Sequence, residues 1–480
     1  MVGRDREKRI LERAYRSSKA EFIAVYGRRR VGKTYLVEEF FEGKITFRHA
    51  GLSPLEWRDD KEALALQLKH FYRSLKLHGL RDEPCPTDWL EAFYLLEKLL
   101  LTSEQTERQI IFLDELPWMD TPNSMFVTAL EGFWNSWASH RKNLMLIVCG
   151  SASSWMLDRL INNHGGLYGR LTCSLRLAPF TLKESEEFLQ SKNIRLSRYD
   201  IVQAYMAVGG IPYYLDAFEE GLSLAQNLDQ LFFTDHARFE DEYDRLFSSI
   251  FTDPERMKAI VGLLYTKNAG FTRKEIGGKL NISSGGTLTN LLNALMGSDF
   301  VTKYYPFGLS RREVYYKLTD PFCLFYLHFI SPQKKQDHHF WLNQQNTPSV
   351  TAWRGFSFEN VCFNHIDQIK QTLGISGVRS THSAWSKRED DQEGAQIDLL
   401  IERDDHVLNA CEIKFSGEDF TVSQAYWRKL MHRQQLLSGS ISPKWAIHQT
   451  LITTYGLAYN EYSGIFSSVV TMDDLFRDLP

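Results

Sequence analysis

The sequence predicts an α/β protein in which a parallel sheet with a helical cover is followed by a small helix-and-hairpin module and a second α/β domain. Three observations predict this. A glycine-framed loop lies between an apolar run and a helical stretch near the N-terminus. A wholly apolar run ends in two acids, Asp114 and Glu115. A strand-turn-strand pair near the C-terminus carries the pattern Glu412-Ile413-Lys414. A length of 480 residues suits roughly three domains of ordinary size. Hydrophobic residues make up 43% and charged residues 24%, a globular balance that leaves no room for long disorder. Lys plus Arg number 56 against 60 Asp plus Glu, a net charge of −4, so any nucleic-acid surface must be local.

The N-terminal loop is Gly27-Arg28-Arg29-Arg30-Val31-Gly32-Lys33-Thr34, a full match to G-x-x-x-x-G-K-[ST]. The run Phe22 to Tyr26 precedes it and a helix from Tyr35 to about Phe41 follows, the strand, loop and helix that the pattern needs. Its glycines let successive backbone N–H groups turn around a phosphate, and the helix adds its positive N-terminus. Lys33 would reach the β- and γ-phosphates, and the Thr34 hydroxyl would ligate Mg²⁺. Upstream, Val2-Gly3-Arg4 opens an arm and a helix to about Ser18, placed where an arm can lie over an adenine.

Downstream the chain reads as a second strand at Lys44 to Arg48 and helices at about Trp57 to Leu77 and Trp89 to Leu101. The continuous apolar run Gln109 to Leu113 fits a strand buried on both faces, whose C-terminal end is where α/β sheets place ligands. There Asp114 can hold Mg²⁺ through its water shell while Glu115 orients and deprotonates an attacking water. The strand Leu144 to Cys149 ends in Gly150 and Ser151, a small polar residue suited to sensing a γ-phosphate or to capping the helix Trp155 to Ile161. Arg170 follows a glycine-rich loop starting at His164, and can stabilise phosphoryl-transfer charge in its own subunit or a neighbouring one. From Pro179 to Phe251 the pattern is helical, punctuated by Gly209-Gly210-Ile211-Pro212, which reads as a lid.

The combination of Val2-Gly3-Arg4, Tyr26 to Thr34, Leu113-Asp114-Glu115, Gly150-Ser151, Tyr168-Gly169-Arg170 and Gly210-Ile211-Pro212 resembles the archaeal-type AAA+ ATPases, relatives of the STAND signalling class. The resemblance implies a core P-loop sheet with a helical lid, ATP and Mg²⁺ as ligands, and an adenine contact from the Val2 and Arg4 arm and from Pro212. The lid departs from the pattern in having no evident sensor arginine.

Residues from about Asp253 to Leu318 read as three helices and a hairpin, a winged-helix pattern. Thr272 and Glu275 make a capping box, and Leu288, Leu291, Leu292 and Leu295 line one face of the third helix. Docked in a major groove, Thr287, Thr289 and Asn290 would face bases, with Lys303, Arg311 and Arg312 near phosphate. Ser331 to Val350, with two prolines, paired His338 and His339 and a Gln-Gln-Asn run, reads as a linker. Beyond it a helix opens at Gly355 and runs to about Leu373, and two strands follow at Ala395 to Ile401 and Val407 to Phe415.

Period-two geometry puts Glu412 and Lys414 on one strand face, and the turn brings Asp398 beside them. Asp398 and Glu412 would hold a Mg²⁺ ion, Lys414 would steer or activate a water, and Glu359 would add an acid from the helix. The order of helix acid, hairpin Asp and strand Glu-x-Lys resembles the PD-(D/E)xK nuclease fold, a restriction-endonuclease-like α/β domain. No proline precedes Asp398, and Gln424, Tyr426 and Lys429 on the following helix are open to phosphate contact or to capping the site.

The expected domains are therefore a P-loop ATPase core at 1–178, a helical lid at 179–252, a winged helix at 253–330, a linker at 331–350 and a nuclease-like domain at 351–480. The expected function is ATP hydrolysis coupled to DNA binding and Mg²⁺-dependent cleavage, in a homo-oligomer if Arg170 acts across subunits. The alternative is a STAND-like nucleotide switch that assembles or binds a partner, with an inactive nuclease-like domain. Six scattered cysteines without a C-x-x-C pair, a charged N-terminus and no bilayer-spanning apolar stretch point to a reduced, cytoplasmic protein away from membranes.

Overall fold

A computed structural model describes residues 2–53, 59–102, 108–151, 153–162, 165–283, 285–308, 314–332, 337–387 and 395–479. Arg311, Arg312 and His164 lie outside the described residues. The chain forms two compact units: Met1–Pro179 with Leu246–Pro254 and Asn293–Asp299, and Phe180–Arg245 with Glu255–Leu292 and Phe300–Pro480.

In the first unit five strands form one parallel sheet: β1 (Glu21–Tyr26), β2 (Ile45–Ala50), β3 (Gln109–Asp114), β4 (Leu144–Gly150) and β5 (Cys173–Arg176), in the order β2-β3-β4-β1-β5. Every residue of β3 and β4 is buried, which is why both sequences are apolar without alternation. Helices Asp60–Leu77, Trp89–Thr102 and Phe126–Ser136 cover the sheet with Phe71, Trp89, Phe93, Phe126 and Phe133. Trp89 meets Phe126 edge-on at 4.8 Å, and each such fully buried side chain contributes roughly 1.5–3 kcal/mol. The strand ends are tightly packed as well. A Cβ on Gly150 would stand 2.8 Å from both Met156 Sδ and Pro117 Cδ, so only glycine lets β4 end there.

The second unit opens with the helices of the stretch read as a lid, Leu182–Ser191, Arg198–Val208, Pro212–Leu215, Leu224–Phe232 and, up to Arg245, the start of Glu242–Ile250. The Thr272–Glu275 capping box forms as read: Thr272 Oγ1 accepts from Glu275 N at 3.3 Å, and Thr272 N donates to Glu275 Oε2 at 2.7 Å. Strands β6 (Phe271–Thr272), β7 (Val301–Tyr304) and β8 (Tyr315–Leu318) make an antiparallel sheet in the order β6-β8-β7. Leu288, Leu291, Leu292 and Leu295 are all buried, as their spacing predicts.

The C-terminal sheet runs β13-β12-β11-β10-β9, built from β9 (Ser380–Lys387), β10 (Ala395–Arg403), β11 (Val407–Lys414), β12 (Ala446–Thr453) and β13 (Ser468–Thr471). The β9-β10-β11 pairs are antiparallel and the β11-β12-β13 pairs parallel, with helix Gln424–Ser438 supplying the crossover between β11 and β12.

Two readings of this region need correction. The stretch 331–350 is packed rather than a linker in its described part. Helix Phe340–Gln344 buries Trp341 against Phe325, Phe329 and Trp353, and the Asp229 carboxylate accepts from the backbone N–H groups of Trp341 at 2.6 Å and Leu342 at 3.2 Å. The helix expected from Gly355 starts at Pro348, ends at Asn364 and resumes at Ile366–Thr372. The break is at buried His365, whose Nε2 accepts from Leu182 N at 3.0 Å while Nδ1 lies 2.8 Å from Val361 O. This contact ties the lid to the C-terminal domain, as do the Arg198–Asp473 pair at 3.0 Å and Tyr199 stacked on Phe415 at 4.9 Å. Among the described residues no helix is long and apolar enough to cross a membrane.

Candidate functional site

In the first unit β1 delivers the chain into the glycine-framed loop. Gly27 has φ +141°, and a Cβ there would stand 2.3 Å from Leu177 O, so the loop can leave the sheet only through glycine. Arg30 at φ 73° and Gly32 at φ 89° then hold left-handed backbone, turning the loop into the N-terminus of helix Lys33–Phe40. A Cβ on Gly32 would meet nothing within 4 Å, so the concave side stands open to a ligand. Lys33 Nζ folds back to donate to the carbonyls of Gly27 at 3.0 Å and Arg28 at 2.8 Å. Burial pulls its pKa below the ordinary lysine range, against the raising effect of Glu115 and Asp114.

Thr34 Oγ1 donates to Asp114 Oδ2 at 2.8 Å, joining the loop helix to the end of β3. Burial pushes the Asp114 carboxyl up, opposed by this hydrogen bond. Next to it Glu115 takes a left-handed φ of 45°, which turns its side chain to Ser151. Ser151 donates to Glu115 Oε2 through Oγ at 2.9 Å and through its backbone N–H at 3.3 Å. Thus Ser151, read as a phosphate sensor or a cap, holds the candidate base. The arm also reaches the loop: Arg4 donates to Val31 O at 3.2 Å, with Val31 buried beneath and Val2 half-buried. These groups fit a nucleotide triphosphate and its magnesium, because amides, an ammonium, a hydroxyl and two carboxylates converge at one loop.

Three further candidates for the nucleotide site are Tyr35, Arg170 and Pro212. Tyr35 is exposed on the loop helix. Arg170 is exposed and forms no ion pair among the described residues. Pro212 belongs to the second unit, where it opens helix Pro212–Leu215.

The C-terminal residues do come together. β10 and β11 pair with Leu399 opposite Cys411, one step from Asp398 and Glu412. Glu412 Oε1 is 2.7 Å from Lys414 Nζ, and Oε2 is 2.6 Å from Arg433. The Tyr426 hydroxyl also donates to Oε1. Burial works against ionisation of Glu412, but Lys414 and Arg433 outweigh it and hold the carboxyl below its ordinary range. Burial, then the charges of Glu359 and Glu412, push Asp398 up to about 7. Burial also raises Glu359, against the pull of Lys317. Burial works against the charged form of Lys414, but Glu412 and Tyr426 outweigh it and raise its pKa above the ordinary lysine range. Among the described residues no group of three metal-capable side chains forms a metal-binding arrangement.

Sequence reasoning missed Arg433, Lys317 and Asn268. Arg433 had a signal, since it lies seven residues from Tyr426, two turns along one helix face. The other two come from the middle segment, whose meeting with the carboxylates is purely tertiary.

A buried strand, an open glycine-framed loop, a lysine at its mouth and a threonine bonded to a strand-end aspartate together define a P-loop ATPase domain. The family model described as an ATPase domain predominantly from Archaea matches residues 1–218, and these residues form an ATPase domain of that archaeal type. Over 446 residues, 91% of this chain and 92% of the relative, the sequence is 26% identical to the uncharacterized protein MJECL04 of Methanocaldococcus jannaschii. It is 51% identical over 43 residues, 9% of this chain and 73% of the relative, to the uncharacterized ATP-binding protein MJ0423 of the same organism. Among solved structures, the Walker-type ATPase PABY2304 of Pyrococcus abyssi is similar at a TM-score of 0.45 and 17% identity, covering 68% of this chain and 96% of that one. The Aeropyrum pernix ORC2 protein in its ADPNP–ADP complexes gives 0.38 and 14%, covering 68% and 93%.

Proposed function

We propose that this chain binds and hydrolyses ATP in its first unit and uses the nucleotide state to control a DNA-acting C-terminal domain. The observation that supports hydrolysis is the 2.8 Å bond from Thr34 to Asp114 with Glu115 as the next residue, in this reading a metal-holding pair beside a base. The amides of Gly27 to Thr34 cradle the phosphates, and Lys33 exchanges its two loop carbonyls for phosphate oxygens. Thr34 and Asp114 would hold a magnesium ion, which would supply neutralisation of the phosphate charge. Glu115 leaves Ser151 and takes the proton of the attacking water. Arg170, exposed and unpaired among the described residues, serves a neighbouring subunit in a homo-oligomer. The test is ATP binding and turnover: Lys33→Ala abolishes binding, while Glu115→Gln still binds and loses roughly 10²–10⁴ in turnover. Binding and turnover unchanged in both variants would end this reading.

The order of helix, mixed sheet and helix around Glu359, Asp398 and Glu412 supports a PD-(D/E)xK-like domain, and the three helices with β6-β8-β7 support a winged helix. Thr287, Asn290 and Lys303 are exposed and Thr289 half-buried, as a groove-facing helix and its wing require. DNA binding that weakens steeply with salt and with Lys303→Ala tests this part. A second reading, a nucleotide switch that does not cut, is favoured by one observation: both oxygens of Glu412 are taken by protein cations and a phenol. Plasmid nicking by wild type that is lost in Asp398→Ala decides against the switch.

A further inference from the structure

The end of β5 puts an arginine beside the nucleotide loop. β5 pairs with β1 in parallel, with Arg176 opposite Tyr26, the residue that leads into Gly27. The next residue, Leu177, donates from its N–H to Tyr26 O at 2.7 Å, and its carbonyl is the atom that excludes a Cβ from Gly27. Arg176 therefore stands at the C-terminal edge of the sheet, next to the strand that feeds the loop, where open α/β sheets place their ligands. Its side chain is exposed.

The group that holds it comes from far along the chain. Arg176 Nη2 donates to Asp299 Oδ1. Asp299 closes the stretch Asn293–Asp299, which belongs to the nucleotide unit although the chain up to Leu292 and from Phe300 belongs to the other. The turn after helix Gly286–Gly297 gives Asp299 a left-handed φ of 62°, which an aspartate tolerates. Its second oxygen, Oδ2, is buried and has no hydrogen-bond partner among the described residues. Burial pushes the pKa of this carboxyl up, opposed by Arg176 and then by Arg28 and Lys33 of the loop. Arg29 is engaged elsewhere, its guanidinium 5.7 Å from the centre of the Trp118 ring and 3.5 Å from Ser249 O, to which it donates.

A guanidinium presents its donors in a planar fork that suits phosphate as well as carboxylate. A carboxylate that uses one oxygen to hold such a fork, at the edge of a phosphate cradle, is a partner that phosphate can replace.

We propose that Arg176 is a further nucleotide-binding residue, which exchanges Asp299 for a phosphate of ATP. Asp299 thereby competes with the nucleotide, and its release frees the turn that runs directly into β7. This proposal rests on the reading of Gly27 to Thr34 as an ATP site and adds to it a residue from outside that loop.

The test is the ATP affinity of the full chain, measured by calorimetry with Mg²⁺, with Lys33→Ala as the reference for a lost site. Arg176→Gln should weaken binding by roughly ten-fold or more, the worth of a hydrogen bond to a charged group. Asp299→Asn keeps the shape of the side chain and removes its charge, so binding should tighten by about three-fold once no partly exposed ion pair has to be broken. The double variant should match Arg176→Gln, because Asp299 acts through the arginine. Arg176→Lys keeps the charge and loses the fork, should fall between wild type and Arg176→Gln, and serves if Arg176→Gln does not fold. If the Arg176 variants bind ATP as wild type does while Lys33→Ala binds none, or if Asp299→Asn binds no tighter than wild type, the exchange is wrong and the nucleotide site stands. If wild type itself binds no ATP, both readings go.

Discussion

Acidification isolates the contribution of His365, the residue that joins the lid to the C-terminal domain. Its ring is fully buried, and burial holds its pKa at about 4. In the unfolded chain the same imidazole titrates near its ordinary value of roughly 6.5. Unfolding therefore takes up a proton between these values, and the stability that His365 contributes, complete above the unfolded value, drains away as pH falls through the window. At about pH 5 the linkage relation gives a loss of about 2 kcal/mol relative to pH 7.5, and about 3 kcal/mol once the folded form is itself protonated. Urea unfolding of wild type and His365→Gln at both pH values measures this directly. The variant pays for the lost ring at neutral pH, but its stability should fall by about 2 kcal/mol less than wild type on acidification. Other titrating groups, such as buried His49, are common to both proteins and cancel in the comparison. Equal pH dependence in the two proteins would refute the argument, because it would mean that the imidazole between Leu182 and Val361 is not held neutral.

Three further outcomes follow from the geometry. Gly27→Ala forces a methyl to 2.3 Å from Leu177 O at a φ that favours glycine, so thermal denaturation should show a loss of about 1–3 kcal/mol. Trp341→Ala removes a buried ring from the Phe325, Phe329 and Trp353 cluster and should cost about 3–5 kcal/mol by urea unfolding, whereas a true linker would show no change. Thr34→Ala deprives Asp114 of its hydroxyl donor, so ATP affinity measured with Mg²⁺ should fall toward the value measured with EDTA.

The nucleotide site was legible because its chemistry is local. Gly27, Lys33 and Thr34 sit within eight consecutive residues, and the loop geometry follows from which of them are glycines. The acids at 114 and 115 announced themselves by ending an apolar strand, and the Thr272–Glu275 cap and the leucines of the third helix followed from spacing of three and four. Residues 331–350 misled because prolines and a Gln-Gln-Asn run outweighed the adjacent Phe340 and Trp341, although Trp341 decides where the described part of the segment goes. Strand β9 went unread because its Ser-Thr-His-Ser run offers little apolar alternation, although Trp385 is buried. Lys317 is the extreme case. A lysine in a short hairpin strand looks like surface, yet here burial of its ammonium end pulls its pKa below the ordinary lysine range.

The His365 junction changes what a lid can do. In an ATPase whose lid is a free flap, phosphate release relaxes a few helices and little else. Here the flap is riveted by an imidazole, an ion pair and an aromatic stack to the sheet that carries the acids, so neither can shift without the other. A displacement of those helices would therefore be felt at the C-terminal sheet through the same three contacts.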